Sequence, residues 1–171
     1  AMLKRNHAAL FVWRQFTQNS RQVVRDTNQP VQLRSQAIAG ELKATGFNVV
    51  LQLDAGREVL LKAIDEYVAR LTSGKAIGLF YFAGHGAQLA WRNYLIPVDA
   101  VINSQNDIAP QSVELNALLQ GLAKAANPMN VVILDACRDN PFGKAAPLEQ
   151  KGLSQFDAPP GSLLAYATSP G

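Results

Sequence analysis

The sequence holds one cysteine, Cys137, and two histidines, His7 and His85. Cys137 and His85 each follow directly on an apolar run, "NVVILDA" for the cysteine and "AIGLFYFAG" for the histidine. Both runs read as buried parallel strands. If the two strands are neighbours, their C-terminal ends lie roughly 5 Å apart, within reach of a cysteine–histidine pair. In covalent acyl transfer the thiolate is the attacking species, and a nearby imidazole takes the thiol proton or holds the thiolate. The same imidazole then protonates a leaving amine. The developing oxyanion needs donors, and His85 stands between Gly84 and Gly86. These glycines predict a sharp turn that brings the backbone against a substrate carbonyl. The N–H groups of Gly86 and Cys137 then form an oxyanion hole. Taken singly, His85 has a bland reading as a structural histidine and Cys137 as a small buried hydrophobe; their shared place at two strand ends favours chemistry.

The elements that must position this pair alternate along the chain. "HAALFVW", "FNVVLQL", "AIGLFYFAG", "NVVILDA" and "SLLAYAT" read as five strands. "LRSQAIAGELKATG", with Gly46 as its stop, and "REVLLKAIDEYVARL", with one apolar stripe, read as helices. "SVELNALLQGLAKAA" is a third helix, for which Ser112 is the expected cap and Glu114 a favourable first-turn residue. "RQFTQNSRQVVRDTNQPVQ" reads as a long loop, and "QLAWRNYLIPVDA" as a small hairpin or extended excursion with Asp99 in a turn. Strands separated by helices predict an α/β three-layer sandwich, a mainly parallel sheet with helices on both faces. His7 is read as a surface or edge residue, and Phe80, Tyr81 and Phe82 as core. The last strand runs into "TSPG" with nothing after it to close the sheet edge, so a further strand is expected beyond residue 171.

Composition narrows the function classes. With 171 residues, 48% of them apolar and 17% charged, the chain suits one globular domain. Its net charge of +3 is spread over separated residues such as Lys4, Arg14, Arg21 and Arg34, which weighs against nucleic acid as a partner. No window reaches the roughly 18 apolar residues of a membrane span. Lys4, Arg5 and Asn6 precede only a short apolar run, so no signal peptide is visible. A cytoplasmic location is expected, with a removed export signal left open. A lone cysteine excludes an internal disulfide and a cysteine-based metal cluster. No acidic cluster commits the chain to calcium, and no metal or cofactor is expected.

Four motifs in order, "FYFAGHG", "NYLIPVDA", "VVILDACRDNPF" and "AYATSPG", resemble the caspase-like cysteine peptidases, and among them the bacterial metacaspase and orthocaspase branch. The resemblance runs from about Phe47 to Gly171, and the histidine–cysteine separation is 137 − 85 = 52 residues. It implies one caspase-like domain over residues 1–171, a caspase-like sheet lacking its last strand, and a cysteine endopeptidase with peptide or protein substrates. It also implies that His85 is the general base and acid and Cys137 the nucleophile. Asp135 matches the acid that lines the pocket for the residue preceding the scissile bond, which implies cleavage after Arg over Lys. Ser169 falls where that pocket is also lined. Counting back from Leu42, an aspartate of the family falls at Arg34, which is therefore a third pocket candidate and a possible partner for Asp135. A catalytically inactive caspase-like scaffold or regulatory domain of a larger protein is the alternative, with further domains or a C-terminal small-subunit-like segment as partners.

Overall fold

The computed structural model describes residues 7–13, 31–74, 76–136, 142, 153–154 and 157–167; for 7–13, 31–34 and 74 the description is of the backbone alone. Five strands run parallel: β1 (His7–Trp13), β2 (Phe47–Leu53), β3 (Ile77–Leu89), β6 (Met129–Ala136) and β7 (Ser162–Tyr166). β1 pairs with β2 and β3, β3 with β6, and β6 with β7. The spatial order is β2-β1-β3-β6-β7, or 2-1-3-4-5 counting these five strands alone. His7 opens β1, an inner strand flanked on both sides, and so is not at a sheet edge. The expected loop over residues 14–30 lies outside the described residues.

Helices cover both faces. On one face, α1 (Val31–Ala44) sets Ala39, Ile38 and Leu42 against Val49, Leu51, Tyr81 and Ile133. On the other, α2 (Arg57–Gly74) and α4 (Leu115–Ala125) set Leu60, Ile64, Leu71, Leu118 and Leu122 against Phe80, Phe82, Val132 and Leu134. Even-numbered residues of β3 and β6 therefore face α2 and α4, and odd-numbered ones face α1, as a strand's alternation dictates. Two buried faces explain why these strands read as continuous apolar runs.

The helix ends are set by both local and distant residues. α1 stops where Gly46 takes a left-handed φ of 91° and its N–H bonds the Lys43 carbonyl at 3.0 Å. α2 is capped from afar: the Arg57 N–H donates to the Asp99 carboxylate at 2.9 and 3.2 Å. Gly56 admits that carboxylate, since a Cβ there would lie 2.6 Å from Asp99 Oδ2. Asp99 thus does more than form a turn. Ser112 does not cap α4. Val113 and Glu114 form a two-residue strand, β5, against β4, so the chain is still extended there. Glu114 takes the capping position, and its carboxylate pairs with Arg92 at 3.3 Å. A 3-10 turn (Gln105–Asp107) and the short α3 (Ile108–Gln111) complete this connection.

β3 departs most from the sequence reading. It does not end at Gly84 but continues to Leu89, then returns through Ala90–Trp91 into antiparallel β4 (Arg92–Ile96). Ala90 and Trp91 have φ values of 49° and 64°, the pair of left-handed residues that a two-residue type I′ turn requires. The expected excursion is thus a hairpin. The expected sharp turn at Gly84 and Gly86 is absent: neither has a left-handed φ, because β4 pairing holds residues 85–89 extended.

Candidate active site

His85 sits where β3 changes partners. Gly84, just before it, is the last residue of β3 registered with β6, opposite Ala136. His85 itself pairs with Ile96 of β4. Its side chain lies on the α1 face, with Tyr81 and Ala83, and is only 3% exposed. Cys137 is the residue after Ala136 in the chain and lies outside the described residues, as does Ser169. Arg34 belongs to the first turn of α1, but its side chain is likewise outside them. Because α1 connects two parallel strands, its first turn lies at the end of the sheet where β1 finishes, the end that carries His85 and Asp135.

Asp135 is half-buried and stands opposite Ala83, on the same face as His85. The Tyr81 hydroxyl donates to Asp135 Oδ2 at 3.1 Å. Tyr81 is registered with Ile133, two residues before Asp135, so the contact is diagonal. The small side chain of Ala83 between them leaves the phenol room to lean along the strand. The structure therefore brings His85, Tyr81 and Asp135 onto one face of two adjacent strands. Tyr81 is core, as its run predicts, but its hydroxyl has a polar task that an apolar strand does not announce.

Gly86 serves a different purpose from the expected turn. A Cβ there would lie 2.7 Å from Leu153 Cδ2 and 3.2 Å from Ala136 Cβ. The missing side chain makes room for Leu153, which is buried in the core on the α2 and α4 face. A glycine inside a strand signals such a close approach. Leu153 is held there through its neighbour. The carboxamide of Asn93, fully buried on β4, donates to the Ser154 carbonyl at 2.7 Å and accepts from the Ser154 N–H at 2.8 Å and hydroxyl at 3.0 Å. The Tyr166 hydroxyl donates to the same carbonyl at 3.1 Å. Part of the chain between β6 and β7 is thereby clasped beneath the strand positions that flank His85. No sequence signal marks Asn93.

Among the described residues, no three histidine, cysteine or carboxylate side chains are grouped to hold a metal ion. No described helix is long and apolar enough to cross a membrane. A cleft between α2 and α4, lined by Leu61, Ile64, Val68, Leu118 and Gly121, lies on the opposite side of the sheet from His85 and brings no polar constellation together.

The family model described as the caspase domain matches residues 35–171. This chain belongs to the caspase-domain family. The match begins one residue after Arg34. The chain is also 29% identical over 133 residues to the mucosa-associated lymphoid tissue lymphoma translocation protein 1 homolog of Mus musculus, covering 76% of this chain and 15% of that protein. The Homo sapiens protein of the same description matches with the same identity and coverage. This caspase domain thus spans 15% of the length of the curated relatives it matches. Among solved structures, that of pro-sf-caspase-1 superposes with a TM-score of 0.55 at 15% identity, covering 98% of this chain and 62% of the other. At that identity the likeness speaks to the fold, which is caspase-like. Membership places the chain among peptidase-type domains.

Proposed function

We propose that this caspase domain is a cysteine endopeptidase in which Cys137 is the nucleophile and His85 the general base and acid. The observation that carries the reading is the register: β3 and β6 run side by side up to Gly84 and Ala136, and the residues that follow these two in the sequence are His85 and Cys137. The imidazole takes the thiol proton, the thiolate attacks the peptide carbonyl carbon, and the imidazolium returns the proton to the leaving amine. Water then hydrolyses the thioester, with His85 as base. Gly86 suits an oxyanion donor. The two-residue turn makes Leu89–Arg92 a hydrogen-bonded pair, and alternation along the ladder makes Gly86–Leu95 a pair that exchanges none. The Gly86 N–H is accordingly directed away from β4, free of that ladder, and acts with the Cys137 N–H on the oxyanion.

Asp135 selects a cationic side chain before the scissile bond, Arg over Lys, because a desolvated carboxylate wants a guanidinium it can meet through two hydrogen bonds. Arg34 and Ser169 complete the pocket. The chemistry requires no cofactor. The motif pattern resembles that of the bacterial metacaspase and orthocaspase branch, and the greater length of the curated relatives supports a role as one module of a longer protein. A peptide library cleaved by the wild type, Cys137→Ala and His85→Ala tests the assignment. Cys137→Ala abolishes cleavage, and His85→Ala lowers it about 10²–10⁴-fold. Substantial cleavage by Cys137→Ala refutes it. Iodoacetamide labelling of the sole thiol adds an independent readout: fast, His85-dependent alkylation supports catalysis, whereas labelling at the rate of free cysteine favours an inactive interaction domain.

A further inference from the structure

We propose that Tyr81 is a positioning residue for substrate selection: by holding Asp135 Oδ2 it fixes the plane of the carboxylate, and so makes the pocket read the shape of the substrate cation as well as its charge. The inference rests on the peptidase reading above. Tyr81 is 8% exposed and packed in the apolar layer under α1. A phenol so placed requires an acceptor for its hydroxyl, and Asp135 Oδ2 at 3.1 Å supplies one. The donor is rigidly mounted. Tyr81 lies in the interior of β3, between Phe80 and Phe82, both essentially inaccessible to solvent. Asp135 lies one residue from the end of β6, where a carboxylate without such a tether turns freely about its last torsion. With Oδ2 pinned, Oδ1 and the second lone pair of Oδ2 keep one orientation.

A planar guanidinium meets a fixed carboxylate edge with two parallel hydrogen bonds, while an ammonium is a point charge indifferent to that plane. The charge of Asp135 admits either cation. The bond from Tyr81 is what favours Arg.

The test uses matched peptides that differ only in Arg or Lys before the scissile bond, with kcat and KM measured separately for wild type, Tyr81→Phe and Asp135→Glu. Tyr81→Phe is expected to lower the Arg-to-Lys ratio of kcat/KM about tenfold, mainly through KM for the Arg peptide, as loss of a hydrogen bond to a charged group predicts. The Cys137 alkylation rate reports that the reactive end of the sheet is intact. Asp135→Glu keeps the charge but carries the carboxylate one methylene past the phenol, and the same fall in ratio is expected; it decides the matter if Tyr81→Phe does not fold. A ratio within twofold of wild type in either folded variant overturns the proposal while leaving the peptidase reading in place. A wild type that cleaves both peptides equally also overturns it. A wild type that cleaves no peptide in the library removes the peptidase reading and the proposal with it.

Discussion

Replacing Asn93 by alanine is expected to cost about 3 kcal/mol of folding stability. The side chain is fully buried and makes three hydrogen bonds, all to Ser154. The Ser154 carbonyl keeps the Tyr166 hydroxyl as donor, so losing Asn93 Nδ2 there costs no more than an ordinary hydrogen bond, about 1 kcal/mol. The Ser154 N–H keeps no such reserve, and this part-buried donor, once stranded, costs about 1–2 kcal/mol. The space left by the carboxamide adds to both. For a domain of this size each kcal/mol lowers Tm by about 2–4 °C, so a fall of about 6–12 °C is expected. Asn93→Asp retains Oδ1 as acceptor but turns the donor toward the Ser154 carbonyl into a second acceptor carrying charge, and fares no better. Urea denaturation followed by circular dichroism measures both. A loss below about 1 kcal/mol at unchanged m-value would show that segment 153–154 is not held by Asn93.

Three further outcomes follow from the same geometry. Gly86→Ala places a methyl against Leu153 and Ala136 and costs about 1–3 kcal/mol by overpacking; a co-introduced Leu153→Ala recovers part of that in a double-mutant cycle, and strict additivity would contradict the contact. Asp99→Ala removes the distant cap of α2 and costs about 1 kcal/mol, and Gly56→Ala, which evicts the same carboxylate, costs at least as much in thermal denaturation. Asp107 Oδ2 accepts from the Ser104 hydroxyl and from the N–H groups of Ser104 and Asn103, and these bonds, the hydroxyl's first, hold its carboxyl below the usual Asp range. Its contribution is therefore complete above the unfolded value of about 3.9 and lost as pH falls through the lower folded value; Asp107→Asn flattens that part of the stability–pH curve, and an unchanged acid limb would count against these bonds.

The five parallel strands and three long helices are legible in the sequence because each is a sustained period, doubly apolar for the strands and amphipathic for the helices. Residues whose roles depend on distant partners are not. "GHG" reads as a turn, since glycine is permissive; only the pairing of residues 85–89 with β4 and the arrival of Leu153 show that Gly86 is there for space. Ser112 looks like a cap because it precedes a helical pattern, yet the pairing of Val113 and Glu114 with β4 postpones the helix. Asp99 caps a helix that begins 42 residues earlier, and no local signature encodes that. Tyr81 illustrates the limit most clearly. In an apolar strand its ring predicts burial correctly, while the partner of its hydroxyl emerges only from the β3–β6 register. His85 was legible as a site candidate from its place after an apolar run, and Asp135 through the family resemblance; the structure sets them on one face.

The two halves of β3 have different histories during folding. Residues 85–89 find β4 across a two-residue turn, a contact between near neighbours of the kind that closes in about 1–10 μs. Residues 77–84 meet β6 across 52 positions of sequence, a pairing that must wait for a long stretch of chain to be gathered in. His85 is thus anchored by an early, local ribbon on one side, and awaits a late, non-local strand on the other. The division separates the local ribbon that carries His85 from the distant strand that carries Asp135. Assembly of the sheet is in this sense the step that sets His85 and Asp135 on one face, and the stability of the β3–β6 seam sets how long they remain so.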